Sequence, residues 1–200
     1  MDIVPLRADE AAVRRFVADL WLPHHRDLAA AVDRHALADL PEEELVDAET
    51  EFRLDRLSDD GFATWVAVRD APDGDGSERA DGAGRADDAV DRADGDPGGT
   101  AIAATDAPLV GFVTCETDRA PRVFDRPDRL VVGDLYVDAE HRGTGVARDL
   151  IDRVRERAEE TACAELALDV DADNDRALAF YRKLGFEPYR HRMAVGTDDL

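Results

Sequence analysis

The apolar positions of this chain follow two periods, and these predict its elements. "DIVPLR" (2–7) and "FATWVAV" (62–68) read as short strands. In "DEAAVRRFVADLW" (9–21), Val13, Phe16, Val17 and Leu20 recur on one helical face, and Asp9 stands where an N-cap belongs. Residues 26–40 and 41–57 continue as helices. Pro41 and Glu42 to Glu44 mark a fresh helix start, where negative charge suits the helix dipole. "PLVGFVTCE" (108–116) and "RLVVGDLYV" (129–137) are further strands. "GVARDLIDRVRERAEE" (145–160) predicts a helix that buries Val146, Leu150, Ile151, Val154 and Ala158. A strand over 164–170, a helix over 174–185 between an Asn cap and Gly185, and a closing strand over 191–195 give a β-α-β-α-β second half. The pattern predicts one α/β domain over residues 1–200 with a mixed sheet flanked by helices.

Residues 70–107 break the pattern. Between 70 and 100 there are seven Gly, two Pro, ten acids and, alanines aside, one sizeable apolar residue, Val90. Such a segment buries too little to offset its ordering entropy, so it reads as a disordered acidic insertion between two strands. It holds three arginines against ten acids, and the rest of the chain still carries a net −15 out of −22. The acidity is therefore global. Lys183 is the only lysine among 25 basic residues. An Asp-rich, Lys-poor composition resembles that of proteins from salt-loving archaea, where charge keeps the surface solvated. It opposes binding to nucleic acid, which needs a basic footprint. No run of 18 apolar residues predicts a membrane span, and the first residues lack a secretory pattern. Cys115 and Cys163 form no C-x-x-C and read as reduced thiols. The expected compartment is the cytoplasm.

One stretch reverses the charge. From His141 to Arg155 there are four arginines and two aspartates. Within it "HRGTGVARDL" places two glycines between a strand and a helix, the outline of an anion site on unpaired N–H groups. The Gly-Lys-Ser/Thr of a Walker loop is absent. The dinucleotide fingerprint fails as well: Arg148 takes its third glycine position, and five residues separate strand from Gly143.

What remains is R-x-x-G-x-A, Arg142 to Ala147. Together with "LYVDAEHRGTG" before it and "LDVDADNDRALAFYRKLGF" after it, this resembles the acyl-CoA motif region of the GNAT superfamily of N-acetyltransferases over about 65 residues. The resemblance implies a single-domain GNAT-like fold: a mixed, mostly antiparallel sheet flanked by helices, with two splayed central parallel strands, here 130–137 and 164–170. It implies acetyl-CoA as co-substrate and no metal. Leu135, Tyr136 and Val137 would lie along pantetheine. The backbone N–H groups of Arg142, Gly143, Thr144, Gly145, Val146 and Ala147, with Arg148, would hold the pyrophosphate. Asn174 matches the family asparagine that hydrogen-bonds the cofactor, and Tyr181 the tyrosine near the thioester sulfur. The two are seven residues apart, two helical turns, and so face the same side. By themselves they read equally as a helix cap and a core aromatic.

The implied reaction is direct acyl transfer to an amine, a small molecule or a protein amine, through a ternary complex. Tyr181 would protonate the departing thiolate, and the Val137 N–H would polarise the carbonyl. Asp169 and Asp134 occupy positions where relatives carry acids, and either would take the amine proton, directly or through water. Among 47 acids both also read as ordinary surface carboxylates. Another acyl-CoA is a second reading, and a non-catalytic acyl-CoA sensor or interaction module a third. "DVDADND" (169–175) lacks the Gly and Glu of a calcium loop. His24 and His25 show no metal spacing. They fall where the family builds its acceptor groove, and read either as substrate contacts or as exposed histidines near a helix start.

Overall fold

The computed structural model describes residues 1–31, 35–69, 102 and 107–199. The predicted insertion over 70–107 lies outside them except at residues 102 and 107. In chain order the elements are β1 (Asp2–Pro5), α1 (Glu10–Phe16), α2 (Leu22–Ala31), α3 (Glu42–Arg56), β2 (Phe62–Val68), β3 (Leu109–Asp118), β4 (Arg129–Val137), α4 (Val146–Glu160), β5 (Glu165–Leu168) and α5 (Asp175–Lys183). The strands form one sheet in the order β1-β2-β3-β4-β5. The first three pairings are antiparallel and β4–β5 is parallel. The fold class expected from the sequence is thus present, with the parallel pair at the β5 end of the sheet.

Strand alternation builds two cores. In β2, Trp65 and Ala67 face one side and Val66 the other. The Val66 side collects Phe16, Leu20, Phe112 and Tyr136 under α1–α3, where the Phe16 and Phe112 rings meet edge to face at 4.9 Å. The other side collects Val110, Val113, Leu130 and Val132 under the buried stripe of α4, Val146, Leu150, Ile151, Val154 and Ala158. Helix α5 adds Phe180, Tyr181 and Leu184 to this second core.

Three local irregularities position the cleft side chains. A π-helical turn over Val17–Trp21 joins α1 to α2, and its wider spacing resets the helical register ahead of His24. In β3–β4, Val113 pairs with Leu135 and Cys115 with Val132, so Gly133 and Asp134 together oppose Thr114. The Asp134 N–H donates to Thr114 Oγ1 at 2.8 Å and closes this bulge. Finally, β4–β5 pairing runs only from Arg129–Glu165 to Val132–Leu168. Beyond it β4 continues to Val137 paired with β3 alone.

Two expectations change. The helix predicted over 26–40 does not extend through 36–40, because Pro41 disfavours helical geometry at Leu40. Residues 191–195 form no strand; Met193 and Val195 are exposed, so their alternation has no buried face to hold a register.

Gly111 marks the closest backbone approach between β3 and β4. A Cβ there would lie 2.7 Å from the Tyr136 carbonyl oxygen, which as backbone cannot swing aside. Gly111→Ala is expected to destabilise the fold by about 1–3 kcal/mol, measured by denaturant unfolding in molar salt. An unchanged midpoint would show that β4 yields at this point.

Candidate active site

The glycine turn is shaped as its composition suggests. Gly143 and Gly145 have φ of 79° and 107°, and a Cβ at either would meet nothing within 4 Å. Both strain and openness therefore favour glycine, and a ligand can approach the backbone there. The first N–H groups of a helix lack an acceptor one turn back; in α4 pairing begins with the Arg148 N–H, which donates to the Gly145 carbonyl at 2.8 Å. Val146 itself is buried in the core, so only its backbone faces the turn. Thr144 is exposed, and its hydroxyl donates to the His141 carbonyl at 2.7 Å.

A cleft of about 810 Å³ runs from this turn to α5, within the range of about 300–1,000 Å³ usual for small-molecule sites. One wall is the free edge of β4. The Asp138 N–H donates to the Val110 carbonyl on β3, so by strand alternation Val137 and Leu135 direct their N–H and C=O groups into the gap. Leu135, Tyr136 and Val137 all line it, as do Arg142, Gly143, Gly145, Ala147 and Arg148. Arg142 Nε donates to the Val137 carbonyl at 2.9 Å, and its Nη2 reaches Asp27 of α2 at 2.7 Å. Arg148 is anchored only by Asp152, at 3.1 Å on an exposed surface.

The opposite wall is α5. Asn174 caps the helix, its side-chain oxygen accepting from the Ala177 N–H at 3.1 Å, and it also lines the cleft. The cap is thus observed, and the same residue faces the cleft. Tyr181 lines the cleft from the same helix, with its ring against Phe180 and Phe186. Burial, followed by the negative charge of Asp134, raises its pKa to about 12. The phenol therefore stays protonated at neutral and mildly alkaline pH.

The two candidate bases separate. Asp169 is exposed, pairs with Arg192 at 2.9 Å and does not line the cleft. Asp134 sits at the bulge in a buried ion network. Arg53 of α3, 6% exposed, donates to Asp134 at 3.1 Å and to Glu49 one turn back. His24 Nε2 lies 3.8 Å from the other Asp134 oxygen. Burial pushes the Asp134 pKa up, but the proximity of His24 and the charges of Arg53 and the histidines outweigh it and hold it at about 2. So strongly held an anion is a poor proton acceptor. Its share of stability is complete above the ordinary 3.8 and is lost as pH falls toward about 2. Glu49 shifts the other way: burial, with the negative charge of Asp134, raises its pKa against the pull of Arg53.

Sequence reading found no partner for His24 and His25. The fold supplies Asp134 from β4, and ligand atoms of the three lie within 4.8 Å of one another. The Arg53 guanidinium already balances that carboxylate, so a metal ion would have to compete with a fixed cation. His24 lines the cleft, with its ring 5.2 Å from that of Tyr136. His25 Nδ1 is 3.0 Å from the Trp21 carbonyl, and its ring stacks on the indole at 4.0 Å.

Comparison with known proteins decides the family. Residues 30–186 match the model of the Acetyltransferase (GNAT) family. The chain belongs to that family. Among solved structures, a tetramutant of the BH1408 protein from Bacillus halodurans superposes with a TM-score of 0.65 at 14% identity, covering 98% of this chain and 99% of that one. An aminoglycoside antibiotic 6′-N-acetyltransferase from Acinetobacter haemolyticus gives 0.59 at 17%, covering 98% of both chains. At such identities these show the fold. In sequence, 78 residues are 32% identical to an uncharacterized N-acetyltransferase of Methanocaldococcus jannaschii, over 39% of this chain and 34% of that protein. A further 77-residue match, also 32% identical, is to the N-alpha-acetyltransferase MAK3 of Arabidopsis thaliana, over 38% of each protein. The chain thus spans little more than a third of the length of these GNAT relatives. Among the described residues no helix is long and apolar enough to cross a membrane.

The Arg53 network generates a prediction. Arg53→Met keeps much of the packing and leaves two buried carboxylates without their cation. It should cost about 3–5 kcal/mol at neutral pH. The deficit should narrow as pH falls through the carboxylate range, because protonated Asp134 and Glu49 no longer need the guanidinium. Denaturant unfolding at two pH values reads this; an equal deficit at both would show that the three charges are not coupled.

Proposed function

We propose that this chain is an N-acetyltransferase that moves an acetyl group from acetyl-CoA to an amine by direct attack within a ternary complex. The observation that carries the reading is the continuity of the cleft. One trough joins a glycine-opened helix start, the free edge of a strand and a half-buried, protonated tyrosine.

Each part suits a part of the co-substrate. The N–H groups from Arg142 to Ala147, with the Arg148 guanidinium, suit a pyrophosphate. The edge N–H and C=O of Leu135 and the N–H of Val137, beside Tyr136, suit the amides of pantetheine, which would replace the strand pairing that β4 lacks. Asn174 offers a further polar contact from α5. A thioester carried along β4 comes to rest near Tyr181. There the Val137 N–H stabilises the oxyanion, and the Tyr181 hydroxyl donates to the departing sulfur. No covalent enzyme intermediate is required. Burial raises the Cys115 thiol to about 12, which leaves it unreactive.

Relatives narrow the acceptor only to an amine. The Arabidopsis thaliana match is named as an N-alpha-acetyltransferase. A fold neighbour, AAC(6′)-Iy, was solved with a bisubstrate analogue joining CoA to acetylneamine. The acidic surface suits cationic amines, and the cytoplasm supplies both substrates.

Acetyl-CoA at saturating millimolar concentration should raise the melting temperature in molar salt; no shift would sink the site assignment. Tyr181→Phe should lower turnover, read as free thiol release, far more than acetyl-CoA affinity. Unchanged turnover would remove the acid role, and binding without turnover on any amine would favour a sensor.

A further inference from the structure

Acyl transfer to an amine needs a proton acceptor, and neither acid singled out in the sequence suits the task. Asp169 lies outside the cleft. Asp134 is clamped between Arg53 and His24. Resting on the acyl-transfer reading, we propose that His24 accepts the proton of the attacking amine and that Asp134 is its positioning residue.

Geometry supports this at each contact. The His24 side chain is 13% exposed, opens on the cleft, and lies against the rings of Tyr136 at 5.2 Å and Phe112 at 5.7 Å. Tyr136 belongs to the strand along which the thioester arm would run. His24 Nε2 faces Asp134 Oδ1 at 3.8 Å, a separation that can close once substrate fills the cleft. A carboxylate at Nε2 favours the tautomer with its proton there, which leaves the Nδ1 lone pair free.

Asp173 and Asp175 also line the cleft, but at the start of α5, while the bases closer to His24 or to the glycine turn have other partners. His25 is committed to the Trp21 carbonyl, and burial lowers its pKa. His141 stands beside the glycine turn, 3.4 Å from Asp138. Asp27 pairs with Arg142. The charged and titratable groups around His24 are Asp134 and Tyr136 on β4, His25 on α2, Arg53 and Glu49 on α3, and Tyr181 across the cleft. Arg53 consequently acts at one remove: it keeps Asp134 ionised, and the ionised Asp134 keeps the His24 ring in place.

Atoms and electrons balance at every stage of the transfer. The amine lone pair attacks the thioester carbonyl carbon, the C–N bond forms, and the carbonyl π pair moves to oxygen. The ammonium proton passes to His24 Nδ1. The oxyanion then collapses and the C–S bond breaks. The sulfur leaves with that electron pair and takes a proton from Tyr181. Solvent removes the proton from His24 and returns one to Tyr181, leaving amide and free thiol.

The test is imidazole rescue of His24→Ala. Acetyl-CoA affinity is measured by calorimetry, and thiol release is followed with neamine and with a short peptide amide bearing a free N-terminus. If neither is accepted, release is followed with water, since the same base serves that nucleophile. The variant should bind acetyl-CoA as the unaltered protein does, turn over about a hundredfold more slowly, and regain rate in proportion to added imidazole. Asp134→Asn should lower kcat with little change in KM. If His24→Ala does not fold, His24→Gln takes its place, and its turnover at unchanged cofactor affinity decides. Turnover that survives the loss of His24, or a fall that imidazole does not restore in the folded alanine variant, would overturn the proposal alone. Failure of the unaltered protein to bind acetyl-CoA would overturn the acyl-transfer reading as well.

Discussion

Parallel pairing of β4 with β5 stops at Val132 and Leu168, and the cleft exists because it stops there. Five more residues of β4 continue with a neighbour on one side only. Backbone groups in the interior of a sheet cannot be left unpaired without cost, so the gap suits an extended, amide-bearing molecule. The bulge at Gly133–Asp134 falls at the same place. It turns β4 away from β5 and stations a carboxylate where the gap begins.

That carboxylate couples the two halves of the molecule. Helices α1–α3 cover one face of the sheet and α4–α5 the other. Asp134 meets Arg53 and His24 from the first set, and its charge is felt by Tyr181 from the second. A buried ion network contributes little net stability compared with apolar packing, yet it specifies geometry, because every misplacement leaves a charge uncompensated. Here it sets the distance between the wall that would receive an amine and the wall that would carry an acyl group.

The sequence displays the second half of this architecture more plainly than the first, for a physical reason. The turn, α4, β5 and α5 are consecutive, so their chemistry is encoded in local spacing: two glycines before a helix, and an Asn–Tyr pair two turns apart. The amine side is assembled from contacts far apart in the chain. His24 and Asp134 are 110 residues apart, and Arg53 is 81 from Asp134. No local period announces such a meeting. The π turn that sets the facing of His24 is equally invisible to a 3.6-residue pattern. Asp169 shows the complementary effect. It sits just past the strand end, where position along the sequence suggests a role, but pairing has ceased there and its side chain is exposed.

Lys183 stands exposed on the last turn of α5. As the chain's one lysine it gives the surface a single ε-amine, while arginines supply the other 24 cations. Guanidinium groups stay protonated and do not attack thioesters. On the proposed function, the surface would offer an activated acyl donor almost nothing to modify. Arginine keeps the ion pairs of this acidic surface without the ε-amines through which such a donor would slowly acylate it.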